Sequence, residues 1–265
     1  MNRINKAVFL GARGSTPVSG KDFLKYGGET SCVLVKFGDT NIILDAGSGI
    51  KNAESYIPYG SPISILISHP HLDHLLGLPS FSPLYQEKRK ISLYAERRGC
   101  LSARDQAELV LSEPLWPVNI SMLPSDIKFY DISENFKIND VSVDTMESNH
   151  PNGSTIYRLS SDGVCVVYAT DFEATPESIE ELAYFAKDSS LLICDAQYTD
   201  YEFKYRKGWG HSSYEQAAYI GAISNSRETA LFHHDPWRTD SELDAASLKL
   251  ERNCFFARSQ EEIIL

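Results

Sequence analysis

The sequence predicts an α/β chain whose sheets are covered on their outer faces by helices. Three observations carry this. Short apolar runs punctuated by Gly, Asp and Asn dominate the first half. Capped helical segments separate the later apolar runs. Hairpin signals come first and strand–helix alternation follows, which suits sheets with helices packed outside them. With 265 residues, 42% of them hydrophobic, the chain can fill a sizeable core as one unit, 1–265, with two similar halves.

The elements follow in order. "AVFLGA", "SCVLVKF" and "NIILDAG" read as strands, with Gly38-Asp39 as a turn. "SPISILIS" is another strand, ending at His69. Ser102 to Glu113 reads as an amphipathic helix. "FKINDVSVDTM" reads as two short strands around Asn139-Asp140. "STIYRLSSDGVCVVYATD" is a hairpin turning at Asp162-Gly163. Thr175 caps a helix with Pro176 at its first position. Ser213 with Gln216, and Thr239 with Glu242, form capping boxes for two more helices.

Composition narrows the function classes. The formal charge of −11 makes a long polyanion a poor partner, because phosphate contacts supply most nucleic-acid affinity. A small substrate fits better. Cys32, Cys100, Cys165, Cys194 and Cys254 are scattered, without a CxxC pair, which suits reduced thiols in the cytoplasm. No apolar run approaches the length of a membrane span, and the start lacks a secretory signal.

The chemistry concentrates in "SHPHLDH", which holds His69, His71, Asp73 and His74 directly after an apolar strand. Unpaired buried polar groups cost several kcal/mol, so packing alone does not explain the cluster. Imidazole with carboxylate suits zinc, and also manganese or iron. Four ligands on one loop suit two metals about 3.5–4 Å apart better than one.

This HxHxDH motif after a strand resembles the metallo-β-lactamase fold superfamily. The resemblance implies an αββα sandwich of two mixed sheets. It extends to Asp45 in "IILDAGSG", His150 in "MESNHPNG", Asp171 in "VVYATDF" and the histidine pair of "TALFHHDP". By that resemblance His69, His71 and His150 hold the first metal. Asp73, His74 and His234 hold the second, and Asp171 bridges. Asp45 and His233 then stand behind the ligands, with the reverse order of His233 and His234 left open. The cofactor implied is a pair of divalent ions, zinc or manganese. Cations lower the pKa of bound water toward about 7, which makes a hydroxide between them a strong nucleophile.

A second stretch, "LLICDAQY" followed by "GWGHSS", resembles the phosphodiesterase branch of the superfamily, which includes the transfer-RNA 3′-processing ribonucleases. There Asp195 takes the acidic place and His211 the histidine place. Phosphodiester cleavage must stabilise a departing alkoxide, and a general acid helps. A carboxylate beside His211 would keep it protonated and aimed. The alternative is that His211 only fills a turn beside Trp209. The ribonucleases carry a long arm between the equivalents of His150 and Asp171, where this chain has only 20 residues.

"YGGETSC", "HPNG" and "LFHHDP" are similar to segments of bacterial cyclic-nucleotide phosphodiesterases and of phage anti-Pycsar enzymes, which destroy cyclic mononucleotide alarm signals. That resemblance implies a cyclic 3′,5′-mononucleotide substrate and a homodimer. The loop Gly11 to Gly20, Lys21 just after it and the HPNG turn then offer Arg13, Ser15, Lys21 and Asn152 as substrate contacts. The aromatics Tyr198, Tyr201, Phe203, Tyr205 and Trp209 suit an interface, with one free to stack on a base. An RNA 3′-processing endoribonuclease and a lactone or ester hydrolase are the competing readings.

Overall fold

The computed structural model describes residues 4–251 and 253–265. The first sheet is built from β1 (Asn5–Gly11), β2 (Cys32–Phe37), β3 (Thr40–Leu44), β4 (Ile63–Ile67), β5 (Lys90–Glu96) and β6 (Asp126–Ile132). The second takes β7 (Phe136–Ile138), β8 (Val141–Ser148), β9 (Ser154–Ser161), β10 (Val164–Ala169), β11 (Leu191–Asp195), β12 (Thr229–Phe232) and β13 (Cys254–Phe256). The last strand, β14 (Glu262–Ile264), returns to the first sheet beside β1. Each sheet thus has seven strands, in the orders β14-β1-β2-β3-β4-β5-β6 and β13-β12-β11-β10-β9-β8-β7.

The two sheets repeat one plan. From β14 to β3 and from β7 to β10 the pairings are antiparallel. From β3 to β6 and from β10 to β13 they are parallel. The expected pair of similar halves is therefore present in the topology. In open parallel sheets the carboxyl ends of the strands are where sites form. The ends of β3, β4, β10, β11 and β12 fill that role here.

Three apolar layers hold the sandwich together. Phe9, Val33, Leu44, Leu66, Tyr157, Val166, Ile193 and Phe232 pack between the sheets. Helices cover the outside of each sheet. They are α1 (Leu72–Leu75), α2 (Ala103–Glu108), α3 (Pro176–Phe185), α4 (Asp200–Phe203), α5 (Tyr214–Ile223) and α6 (Asp240–Ser247). The capping signals read from sequence are real. Thr175, Ser213 and Thr239 each accept from the backbone N–H three residues on, and the third residue's side chain answers. The hairpin at Asp162-Gly163 has both residues at positive φ, 50° and 77°, as a two-residue turn of this hand needs.

Ser102 to Glu113 is shorter than expected, helical only over Ala103–Glu108. The Ser112 hydroxyl donates to the Glu108 carbonyl at 2.6 Å, and Pro114 lies just beyond, so the helix does not continue. The aromatic stretch from Tyr198 to Trp209 contains α4, capped by Thr199 with Glu202. No helix among the described residues is long and apolar enough to cross a membrane.

Candidate metal centre

Most side chains of the site sit at or just beyond a strand end; Asp73 and His74 lie in α1, and His211 lies in the turn before α5. Asp45 follows β3, His69 to His74 follow β4, Asp171 follows β10, Asp195 ends β11 and His233 follows β12. Asp45, Asp171 and His233 have φ of 59°, 51° and 63°. Non-glycine residues in this left-handed region are uncommon, with Asp, Asn and His the most tolerant, and such strain gathers at functional sites.

Two groups of potential ligands result. His69, His71, His150 and Asp171 form one; Asp73, His74 and His233 form the other; within each group the ligand atoms lie within 4.8 Å. Asp171 joins them. Its Oδ1 lies 3.7 Å from His69 Nε2 and 3.9 Å from His150 Nε2. Its Oδ2 lies 3.1 Å from His74 Nε2 and 3.3 Å from His233 Nε2. His71 faces the first group through Nδ1, 3.3 Å from His150 Nε2.

The far side of four rings, His69, His74, His150 and His233, is tied down. The Asp45 carboxylate accepts from His74 Nδ1 at 2.7 Å, from the Ser68 amide and hydroxyl, and from the Tyr168 hydroxyl. The Ser68 hydroxyl lies 3.1 Å from His69 Nδ1. His150 Nδ1 donates to the Gly210 carbonyl at 3.0 Å, and His233 Nδ1 to Gln197 Oε1 at 3.1 Å. These bonds use the outward N–H and turn a lone pair inward, the arrangement a metal-binding histidine needs. His69 Nε2 is buried without a hydrogen-bond partner, its nearest carboxylate oxygen 3.7 Å away. Buried orphans of this kind are costly, and a cation would satisfy them. The donor set of imidazole and carboxylate therefore fits divalent metal.

Charge divides the site. Desolvation pushes the imidazole of His69 well below its usual range, and those of His71 and His150 lower too. Burial acts the same way on His74, but Asp73, Asp171 and Asp45 outweigh it and hold that ring well above its ordinary value. His233 is raised to about 9 despite burial, by Asp171, Asp73 and Asp195. Burial would raise Asp171 and Asp73, yet the surrounding imidazoles hold both well below the carboxylate range.

The assignment of His234 to the second group is corrected. His233 takes that place, 3.2 Å from Asp73 Oδ2. His234 turns away: its Nε2 donates to the Ala257 carbonyl at 2.8 Å, its ring packs against Tyr26 and Phe256, and burial lowers its pKa to about 3. Simple strand alternation misleads here. Ala230 and Phe232 face between the sheets and Leu231 faces out. Continued alternation would send 234 inward, but the left-handed residue at 233 breaks it. Gly14 is required at the same place, because a Cβ there would strike the His233 ring.

Arg13 is also corrected as a substrate contact. It is wholly buried, and its guanidinium donates to the Gly27, Asp235 and Arg238 carbonyls. Lys21 is exposed on a short 3-10 turn, and no contact joins it to the cluster among the described residues. Asn152 is exposed in the turn that Gly153 closes onto the His150 carbonyl; its positive φ of 65° explains its identity. Ser15 does reach the site, where its backbone N–H donates to Asp73 Oδ2 at 2.7 Å.

Asp195 and His211 meet as expected. His211 Nδ1 donates to Asp195 Oδ2 at 2.8 Å, and the Ser212 amide donates to Asp195 Oδ1 at 2.9 Å. The Ser212 amide, just ahead of α5, is thus taken by Asp195. The His211 ring stacks on His233 with centroids 4.8 Å apart. His211, His233 and Asp171 form a third possible ligand group, but the His211 nitrogen nearest Asp171, Nδ1 at 4.0 Å, is committed to Asp195. Sequence reasoning missed Ser68, Tyr168 and Gln197. Ser68 opens the SHPHLDH motif and Gln197 lies within LLICDAQY, and Tyr168 alternates inward on β10 toward Asp45.

Residues 40–234 match the Beta-lactamase superfamily domain. The chain belongs to that superfamily. Among its relatives is Ribonuclease Z of Pyrococcus horikoshii, 23% identical over 98% of this chain and 96% of its own length. Ribonuclease Z of Natronomonas pharaonis is 22% identical, covering 86% of each chain. The fold matches the metallo-β-lactamase fold protein YhfI of Bacillus subtilis with a TM-score of 0.75 at 16% identity, over 98% of this chain and 99% of that one. A diphosphatase from the PhnP family gives 0.74 at 17% identity, covering 98% of each chain. At these identities the likeness is one of fold. The superfamily's αββα sandwich is the architecture described above, with its two His/Asp groups able to bind metal.

Proposed function

We propose that this superfamily member is a two-metal phosphodiesterase that hydrolyses cyclic 3′,5′-mononucleotides to linear monophosphates. The observation that carries the reading is the buried Asp195–His211 pair set against the bridging Asp171. His69, His71 and His150 would hold one ion, and Asp73, His74 and His233 the other, with Asp171 shared. Zinc suits these donors best, and manganese is the next candidate. When bound, such ions supply Lewis acidity toward phosphate and acidify water.

The chain's own residues do the rest. Asp195 holds His211 by Nδ1, which leaves Nε2 to meet the substrate. From there His211 gives its proton to the departing sugar oxygen as a water-derived oxygen bonds to phosphorus and the P–O bond to the sugar breaks. The Ser212 amide fixes the other Asp195 oxygen, so the pair cannot swing. Ser15, exposed above Asp73, presents its hydroxyl to a phosphate oxygen.

A small substrate is favoured by the tight β9–β10 hairpin between His150 and Asp171, which leaves no arm for RNA, and by the charge of −11. Exposed Tyr201, Tyr205 and Trp209 near His211 support a homodimer contact or a base platform. Tyr198 is excluded from stacking because it is buried, edge-on to His211. The near full-length likeness to Ribonuclease Z favours RNA 3′-processing as a second reading. The test is a substrate panel on metal-loaded protein: cyclic mononucleotides, precursor transfer RNA and a lactone. Linear monophosphate is expected. Cleavage of the RNA alone would favour the second reading, and of the lactone alone would defeat both.

A further inference from the structure

The segment that presents His211 is held by a side chain outside both ligand groups. Glu173 follows the bridging Asp171 by two residues. Its carboxylate accepts from the Gly208 amide through both oxygens, at 2.8 and 2.7 Å, and from the Gly210 amide at 2.8 Å. Gly208 and Gly210 have φ of 83° and 85°, so the Gly-Trp-Gly turn forms a concave cradle of N–H groups around that anion. The Gly210 carbonyl, on the other side of the peptide chain, accepts from His150 Nδ1 at 3.0 Å. A Cβ on Gly210 would strike the His150 ring, so the two are in direct contact. The Glu173 backbone is itself locked to the His150 segment: its amide donates to the Asn149 carbonyl at 2.9 Å, and the Asn149 side chain returns a bond to its carbonyl at 2.8 Å.

We infer that Glu173 is a positioning residue that sets one ligand, His150, and the proton donor, His211, through a single turn. Charge-assisted bonds from backbone N–H groups are about twice as strong as neutral ones, so one carboxylate can fix the whole turn. Losing it would free Gly210, loosen the bond that fixes the His150 tautomer, and let His211 drift on Asp195. Outer partners of metal-binding histidines typically matter by about 10- to 100-fold in affinity or activity. A glutamine keeps one acceptor oxygen but sets an NH2 against an N–H, so it should restore part of the effect.

The inference rests on the phosphodiesterase reading for His211 but not for His150, and the test separates the two. Glu173→Ala and Glu173→Gln would be compared with wild type by competitive zinc titration against a chromophoric chelator. Both would also be assayed on a cyclic mononucleotide and on a nitrophenyl phosphodiester, whose leaving group needs little protonation. Glu173→Ala should weaken zinc binding by about tenfold or more. It should also slow the cyclic substrate several-fold more than the nitrophenyl one, with Glu173→Gln between. Wild-type zinc affinity with an unchanged ratio between substrates overturns the inference, even if the variant melts earlier. Should Glu173→Ala fail to fold, Glu173→Gln and the nitrogen resonances of His150 carry the test. A His150 Nδ1–H that stays as protected in Glu173→Gln as in wild type counts against it. If wild type cleaves no phosphodiester, the proposed function fails, and the titration still decides the role of Glu173 at His150.

Discussion

The two halves of the ligand cluster share Asp171 but are built from opposite chemistry. The first gathers three imidazoles, all depressed by desolvation, and so stands neutral and ready for a cation. The second pairs two imidazoles with Asp73 and the other oxygen of Asp171, and these groups raise His74 and His233. Without metal the second half satisfies itself as imidazolium and carboxylate. A metal entering it must displace protons, whereas one entering the first half displaces almost none. One bridging residue therefore joins a site limited by desolvation to a site limited by proton competition.

The largest effect is expected where the halves meet. Asp171→Ala should abolish metal retention in both groups and reduce turnover to background; elemental analysis and a phosphodiester assay check this. A variant that keeps either ion tightly would show the halves to be independent. Next comes His211→Ala, which should cost on the order of 100- to 10,000-fold in turnover of a poor leaving group while metal content stays unchanged. Loss of metal instead would make His211 a ligand.

His233→Ala and His234→Ala form a smaller, paired contrast. His233→Ala should empty the second half only. His234→Ala should keep both ions and cost about 1–3 kcal/mol of stability, since it removes the bond to the Ala257 carbonyl and leaves that buried group unpaired. Denaturant melts and metal counting separate the two.

Acidity gives the smallest effect and the finest division of the halves. His233 is raised to about 9, above its unfolded value of roughly 6.5. In metal-free protein its charged form thus stabilises the fold fully below about pH 6.5, and that contribution fades as pH rises through about 9. Metal binding runs the other way: protons compete at the second half below about 9, so acidification should release that ion first. Melting temperature of the metal-free protein and stoichiometry of the loaded protein, both against pH, would show it. Simultaneous loss of both ions would erase the distinction.

Much of this was legible in the chain. The capping boxes of α3, α5 and α6 and the Asp162-Gly163 turn are local signals, and local signals survive folding. The HPHLDH loop is local as well, so its ligands could be named directly. His233 could not be chosen over His234, because a single left-handed residue reversed the alternation and only the fold imposes that backbone. Arg13 looked available because arginine usually lies at the surface, and its burial depends on carbonyls more than two hundred residues away. Strands β5 and β6 went unread although "KISLYAE" alternates cleanly, with burial on every second residue. Ser68 and Tyr168 act through the Asp45 carboxylate at the end of β3, and Gln197 through the His233 ring after β12, and no spacing in sequence records those meetings.

The positions of the bound metal ions are the most direct test. Anomalous diffraction from crystals of the zinc-loaded protein should give two peaks flanking the Asp171 carboxylate. One should be bound by His69, His71 and His150, and the other by Asp73, His74 and His233 Nε2. A single peak, or a second peak on His234 or on the far nitrogen of His211, would contradict it.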